Sequence, residues 1–161
     1  MRFERRALLG ATGAGLACLL ASGCKDKASA AAVFPLQLSE TEWGKRLSPA
    51  QYDALRRAAT EPPFSSPLDH EQRRGTYVCA GCALPLYASD TKFDSGTGWP
   101  SFFRPLPDAV VEKKDSSLLM ERTEIVCRRC GGHLGHVFDD GPKPTGLRYC
   151  MNGLALRFIP T

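Results

Sequence analysis

Apolar positions fall into two regimes along the chain. Ser39 stands three residues before Glu42 and just ahead of Trp43, the spacing of a capping box. Ser48-Pro49 then supplies an N-cap followed by proline at the first helical position. Tyr52, Leu55 and Ala59 recur on one face, which predicts a short helix over 49–59, ended by Glu61-Pro62-Pro63. Beyond that point the pattern changes to short apolar runs broken by Gly, Pro, Asp and Asn. It predicts strands at Thr76–Cys79, Leu84–Tyr87, Ala109–Glu112, Leu118–Cys127, Gly135–Phe138 and Arg148–Phe158. No run is followed by a helical stretch long enough for a parallel crossover, so the pairing is expected to be antiparallel. Two small helices leading into a mainly β body is the architecture this predicts.

The first forty residues follow neither pattern. Arg2, Arg5 and Arg6 precede an uncharged, Ala- and Gly-rich stretch from Ala7 to Gly23, too weakly apolar for a spanning helix. Residues 1–23 therefore read as an export signal. Arg5-Arg6-Ala7-Leu8-Leu9 resembles a twin-arginine signal, although Glu4 stands where Ser or Thr is usual. Leu20-Ala21-Ser22-Gly23-Cys24 resembles a bacterial lipobox, which would make Cys24 a lipidated N-terminus in the cell envelope. Residues 24–38 have no amphipathic period and read as a flexible tether, leaving 39–161 as the folded domain.

A chain of 161 residues leaves room for one well-cored domain. Its net charge of +4 falls to +2 without residues 1–23, which excludes an electrostatic case for nucleic acid. Cysteine changes the picture. Cys79-Ala-Gly-Cys82 and Cys127-Arg-Arg-Cys130 are two Cys-x-x-Cys pairs with 44 residues between them. Four thiolates from two tight turns, eased by Gly81 and Gly131, suit a closed tetrahedral Zn2+ site with a structural role. A pair of disulfides is the rival for an exported protein, but each would close only a tiny loop. An iron site of the rubredoxin kind is the third reading, and it would make the chain an electron carrier.

Cys150 has no such partner. If Arg148–Phe158 is one strand, Arg148, Cys150 and Asn152 share a face, and a basic group beside a thiol favours the nucleophilic thiolate. The competing reading is a half-buried core cysteine. His133 and His136 follow the second Cys pair, and with zinc saturated by sulfur they are free for proton transfer. Gly96-Thr-Gly98-Trp99-Pro100-Ser101-Phe102 is an aromatic turn whose Trp99 either plugs the core or lines a site.

Taken together, these segments resemble the methionine-R-sulfoxide reductase family (the B-type enzymes). The resemblance rests on RRGTYVCAGC at 73–82, KFDSGTGWPSF at 92–102, RTEIVCRRCGGHLGHVFD at 122–139, Asp140-Gly-Pro142 and RYCMN at 148–152. It implies two antiparallel sheets behind N-terminal helices, with a zinc held by four cysteines distant from the active site. It further implies that Cys150 attacks the sulfoxide sulfur while His133 and His136 bind and protonate its oxygen. Trp99 lines the pocket for the substrate methyl, with Arg148 beside it, and Asn152 orients substrate or water. The expected product is methionine plus a Cys150 sulfenic acid, which another thiol must reduce.

The chain departs from the family pattern at Thr97, where many members carry a resolving cysteine. No intramolecular disulfide is therefore expected, and an external thiol reductant of the thioredoxin kind is implied. Cys24 is the one alternative resolving thiol. The expected partners are R-sulfoxides of methionine in oxidised proteins and that reductant. A monomer without nucleic acid, held at a membrane only by its lipid, completes the reading. A zinc-ribbon binding module or a rubredoxin-like carrier would leave Cys150, both histidines and the Trp99 turn without a role.

Overall fold

In the computed structural model, residues 34–117 and 121–161 are described. The export signal expected over 1–23 and the first part of the tether lie outside them. Residues 34–38, expected to be the end of that tether, instead lie against the domain. The Leu36 amide donates to the Arg129 carbonyl at 2.8 Å, and Leu36 and Leu38 pack on the core.

Both N-terminal helices form where the capping signals stand. Helix α1 spans Glu40–Arg46 and α2 spans Pro49–Arg57, each with a complete capping box, from Ser39 and Glu42 and from Ser48 and Gln51. Helix α2 stops two residues earlier than its apolar spacing predicts, because Ala58 turns into the left-handed region at φ 54°.

Nine strands follow among the described residues, all paired antiparallel. They are β1 (Gly75–Cys79), β2 (Pro85–Ala88), β3 (Lys92–Phe93), β4 (Ser101–Phe102), β5 (Val110–Asp115), β6 (Arg122–Cys127), β7 (His133–Phe138), β8 (Arg148–Met151) and β9 (Leu156–Pro160). They make a three-stranded sheet in the order β2-β1-β9 and a six-stranded sheet in the order β3-β4-β8-β7-β6-β5. The mainly β fold with two antiparallel sheets and short N-terminal helices is thus as expected. Aromatic rings fill the layer between the sheets. Tyr87 of the small sheet stacks on Phe102 of the large one at 4.3 Å, Tyr77 meets the same ring edge-on at 4.9 Å, and the Tyr87 hydroxyl reaches Met151 Sδ at 3.1 Å.

The expected strand over Arg148–Phe158 is a correction. It is two strands, one in each sheet, with a 3-10 turn at Gly153–Ala155 between them. The Gly153 amide donates to the buried carboxylate of Glu61 rather than to a neighbouring strand. A Cβ at Gly153 would stand 1.9 Å from Ser66 Oγ, so the chain turns there against a wall. Asn152 consequently lies off the strand that carries Arg148 and Cys150. Strands β3 and β4, of two residues each, are too short to leave a periodic signal.

A bulge in β7 has functional weight. Ile125 pairs with Gly135 but Val126 pairs with His133, so Leu134 is the extra residue. His133 and His136 are three apart and would point to opposite faces of a regular strand. The bulge restores them to one side, and their ring centroids lie 5.4 Å apart. Leu134 turns fully into the core. Gly135 makes the bulge fit, because a Cβ there would stand 2.1 Å from the Cys150 carbonyl oxygen. Gly135→Ala is therefore expected to destabilise the fold by about 1–3 kcal/mol. A lower urea midpoint at unchanged slope checks this.

Candidate active site and metal centre

The register of the large sheet sets a row of side chains on the face away from the aromatic layer. Cys150 is opposite Ser101 of β4 on one side and His136 of β7 on the other, and His136 is opposite Glu124 of β6. Directly opposed residues share a face, with Cβ atoms about 5 Å apart. Two places along β8, Arg148 lies on the same face, opposite Phe138.

Each histidine is held by a carboxylate. His133 Nδ1 donates to Glu124 Oε1 at 2.7 Å, and His136 Nε2 donates to Asp115 Oδ2 at 2.8 Å. The open nitrogens are thus Nε2 of His133 and Nδ1 of His136. Ser117, through its side chain and its amide at 2.9 Å, holds the Asp115 carboxyl below the usual carboxylate range, with His136 and then Arg122 Nη2 at 2.6 Å adding to the effect. The His133 imidazole holds Glu124 below that range too. Burial is the larger influence on His136 and pushes it down, with Asp115 opposing. These groups surround a cavity of about 440 Å³. Arg122 Nε, also in this region, is the buried polar side-chain atom without a partner among the described residues.

Arg148 is clamped by Asp140 through two 2.8 Å bonds, from Nε to Oδ1 and from Nη2 to Oδ2, and its guanidinium stacks 4.5 Å over Phe138. Its charge is fixed beside Cys150. The sequence reading of that charge needs one correction. Burial pushes the half-buried Cys150 thiol up, and the lowering influences of Thr97, Arg148 and Ser101 do not overcome it.

Trp99 is half-buried, so it does not plug the core. Its indole Nε1 donates to the Glu61 carbonyl at 3.1 Å. Gly98 before it takes φ 88°, and a Cβ there would stand 2.7 Å from the Phe64 amide nitrogen. Asn152 supports the same structure. Its Oδ1 accepts from the Glu61 amide at 3.0 Å and its Nδ2 donates to the Ala59 carbonyl at 2.8 Å. Its side chain therefore acts on the site by fixing residues 59–61 under Trp99. A larger hollow of about 750 Å³ lies around Glu61, Ser66, Gly153 and Phe158, and none of the predicted site residues lines it.

The four paired cysteines converge. Their sulfurs all lie within 4.8 Å of one another, with Cys79 to Cys130 at 3.7 Å and Cys82 to Cys127 at 3.5 Å. These spacings are far longer than a disulfide and close to the roughly 3.8 Å edge of a tetrahedron with 2.3 Å metal–sulfur bonds. Four ionised sulfurs this close repel one another unless a cation holds them. The two turns are alike. The Ala83 amide returns to the Cys79 carbonyl and the Gly131 amide to the Cys127 carbonyl, both at 2.8 Å. The left-handed positions are Ala83 (φ 58°) and Gly131 (φ 66°), the residues after each second cysteine. Gly81, expected to ease the first turn, serves instead as contact surface for Trp43 and Leu55.

Sequence reasoning missed Asp115, Glu124, Arg122 and Glu61. A charge at strand spacing looks like any solvated one: only the pairing of β5, β6 and β7 brings Asp115, Arg122 and Glu124 to the histidines, while Glu61 lies apart from them, against Trp99 and Gly153.

A burial-depressed imidazole binds fewer protons folded than unfolded. Its contribution to stability is complete above about pH 6.5 and is lost as pH falls towards the lower folded value. His136 is expected to titrate below 6.5 by NMR, and Asp115→Asn, which removes an upward influence, should move it lower still.

Residues 47–160 match the model of the SelR domain. The peptide methionine sulfoxide reductase MsrB of Leptospira interrogans is 56% identical over 126 residues, covering 78% of this chain and 96% of that protein. The protein of the same name from Bradyrhizobium diazoefficiens is 58% identical over 123 residues, covering 76% of this chain and 88% of its own. One from Methanosarcina barkeri is 54% identical over 124 residues, with 76% and 87% covered. These matches place the chain in the SelR family of MsrB-type proteins.

Proposed function

We propose that the chain is a peptide-methionine (R)-S-oxide reductase with Cys150 as its nucleophile. The observation that carries this is the register that sets Cys150 opposite His136, with His133 brought to the same side by the β7 bulge. Cys150 attacks the sulfoxide sulfur, which is a soft electrophile suited to a thiolate. The sulfur–oxygen bond breaks only if the oxygen is protonated, and His133 and His136, on the same side of the sheet as Cys150, each keep one ring nitrogen free of a carboxylate for that proton. The protonated oxygen leaves as water, a second water then cleaves the new bond between the two sulfurs, and in balance one thiol and one sulfoxide give one thioether, methionine, and one Cys150 sulfenic acid. Trp99 packs against the substrate methyl, Arg148 stabilises the thiolate, and Asn152 keeps the Trp99 support in position.

Two external thiols then return the sulfenic acid to the thiol, releasing water and a disulfide. Among the described residues the other cysteines all belong to the four-sulfur cluster, which favours an external reductant. The substrate class is methionine-R-sulfoxide, carried in proteins and also accepted free, a reading that the SelR-domain match and the names of the relatives support.

The four sulfurs fit Zn2+, which when bound would clamp the two sheets and, with all four positions filled by thiolate, take no part in the reaction. The N-terminal motifs favour an enzyme of the bacterial envelope, exported with its zinc already loaded and lipidated at Cys24. Cys24→Ser should release it from the membrane fraction.

Turnover of separate R and S methionine sulfoxide by residues 25–161 with dithiothreitol tests the chemistry. Reduction of the R epimer alone, abolished in Cys150→Ser, is expected. A Cys24–Cys150 disulfide in the full chain, mapped after one turnover without reductant, would overturn the external-reductant reading. For the metal, elemental analysis should find one zinc per chain. Cys82→Ser should lose that zinc and lower the melting temperature by about ten degrees or more, on the order expected when a structural metal that contributes folding energy is removed.

A further inference from the structure

Three hydroxyls lead from the Trp99 turn to the sulfur of Cys150. Ser101 Oγ lies 3.0 Å from the Trp99 carbonyl oxygen and 2.8 Å from Ser95 Oγ. Ser95 Oγ lies 2.8 Å from Thr97 Oγ1, and Thr97 Oγ1 lies 3.9 Å from Cys150 Sγ. Ser101 is fully buried and directly opposite Cys150. The chain therefore has a carbonyl, which only accepts, at one end and the reacting sulfur at the other.

Each hydroxyl has one hydrogen to give. With Cys150 as a thiol, four hydrogens serve the four links. The thiol donates to Thr97, Thr97 to Ser95, Ser95 to Ser101, and Ser101 to the Trp99 carbonyl. When the thiol proton leaves the chain, three hydrogens remain for four links and one link must be lost. A charged acceptor holds a donor about twice as strongly as a neutral carbonyl does, and Ser101 directly opposes the charged sulfur, so the link given up is the one from Ser101 to Trp99. All three hydroxyls then rotate towards sulfur, with every O–H bond intact, and the 3.9 Å contact, the loosest in the chain, tightens.

We propose that Ser101, Ser95 and Thr97 form a reversible donor chain that holds the Cys150 thiolate, and that forming this thiolate withdraws the hydrogen bond on the Trp99 carbonyl. This rests on Cys150 being the nucleophile. It gives Thr97 a role that a resolving thiol at that position would not fill, and it links ionisation of the sulfur to the turn that carries the substrate-facing indole. Thr97 touches the reacting sulfur and Ser101 faces it from the directly opposed position, whereas Ser95 is the positioning residue that joins the two.

The test is the pH midpoint of Cys150 alkylation by iodoacetamide, read on the Cys150 peptide by mass spectrometry in the full-length, zinc-loaded chain. Thr97→Val is nearly isosteric and is expected to raise the midpoint by about one unit, which at pH 7 leaves roughly tenfold less thiolate. Thr97→Ser should keep the wild-type midpoint. Ser95→Ala should raise it by less than Thr97→Val, and the double variant should fall short of the sum of the two, because part of the Ser95 effect runs through Thr97. kcat at pH 7 should fall with the thiolate fraction and recover at higher pH, at unchanged KM. An unchanged midpoint in Thr97→Val, or additive shifts in the double variant, would overturn the chain. Alkylation needs no turnover, so the midpoints decide this proposal independently of Cys150→Ser, whose continued turnover would instead remove Cys150 from the reaction.

Discussion

The alternation of side chains along β8 is the constraint from which the site follows. Tyr149 and Met151 go into the aromatic layer between the sheets, so Arg148 and Cys150 must face the other way. The core thereby fixes the direction of the sulfur. Its neighbours then follow from pairing alone: Ser101 and the hydroxyls behind it on one side, and His136 with its carboxylate on the other. A slip of one residue in the β7–β8 register would turn Cys150 away from both. The close approach at Gly135 opposes such a slip, since any other residue there would collide with the Cys150 carbonyl.

The sulfur cluster works on a different link of the same structure. Cys79 and Cys82 come from the end of β1 in the small sheet, and Cys127 and Cys130 from the turn between β6 and β7 in the large one. Holding the four together therefore holds sheet to sheet. Strand β6 carries Glu124 at the site and Cys127 in the cluster, three residues or about 10 Å apart, so the same strand is anchored at one end and used at the other. The helices cap this end. Trp43 and Leu55 press on Gly81, while Arg46, Arg56 and Arg129 donate to the carbonyls of Gly81, Cys130 and Cys82. Phe34 and Leu36 extend the cover over the second turn.

What could be read from the sequence was what local spacing encodes. Capping boxes mark their own helices, Cys-x-x-Cys pairs carry their own geometry, and the longer strands alternate. The break at Gly153 left no such trace, because its cause is the carboxylate of Glu61, ninety-two residues earlier. The same distance in sequence hides why Asn152 serves Trp99 through residues 59–61. The histidine pair was visible as a motif, but an i, i+3 spacing on a strand argues against a shared side. Only the bulge at Leu134, a tertiary event, reverses that argument.

Burial of Cys150 has a consequence for how the groups around it divide the work. A sulfur in water beside an arginine would ionise readily, yet here desolvation outweighs Arg148 and Thr97 and the free protein holds a thiol. Burial acts on His136 in the opposite chemical sense, favouring the neutral ring with Nδ1 unprotonated. Both groups thus rest in their uncharged forms, with fixed charges nearby from Arg148, Asp115 and Arg122. Moving one proton from the sulfur to the imidazole would create an anion and a cation on directly opposed residues, where their mutual attraction offsets part of the cost of desolvating each. In the reductase chemistry proposed for this site, such a transfer would make nucleophile and acid in one event, and the proton leaving the thiol would be the one the departing oxygen needs.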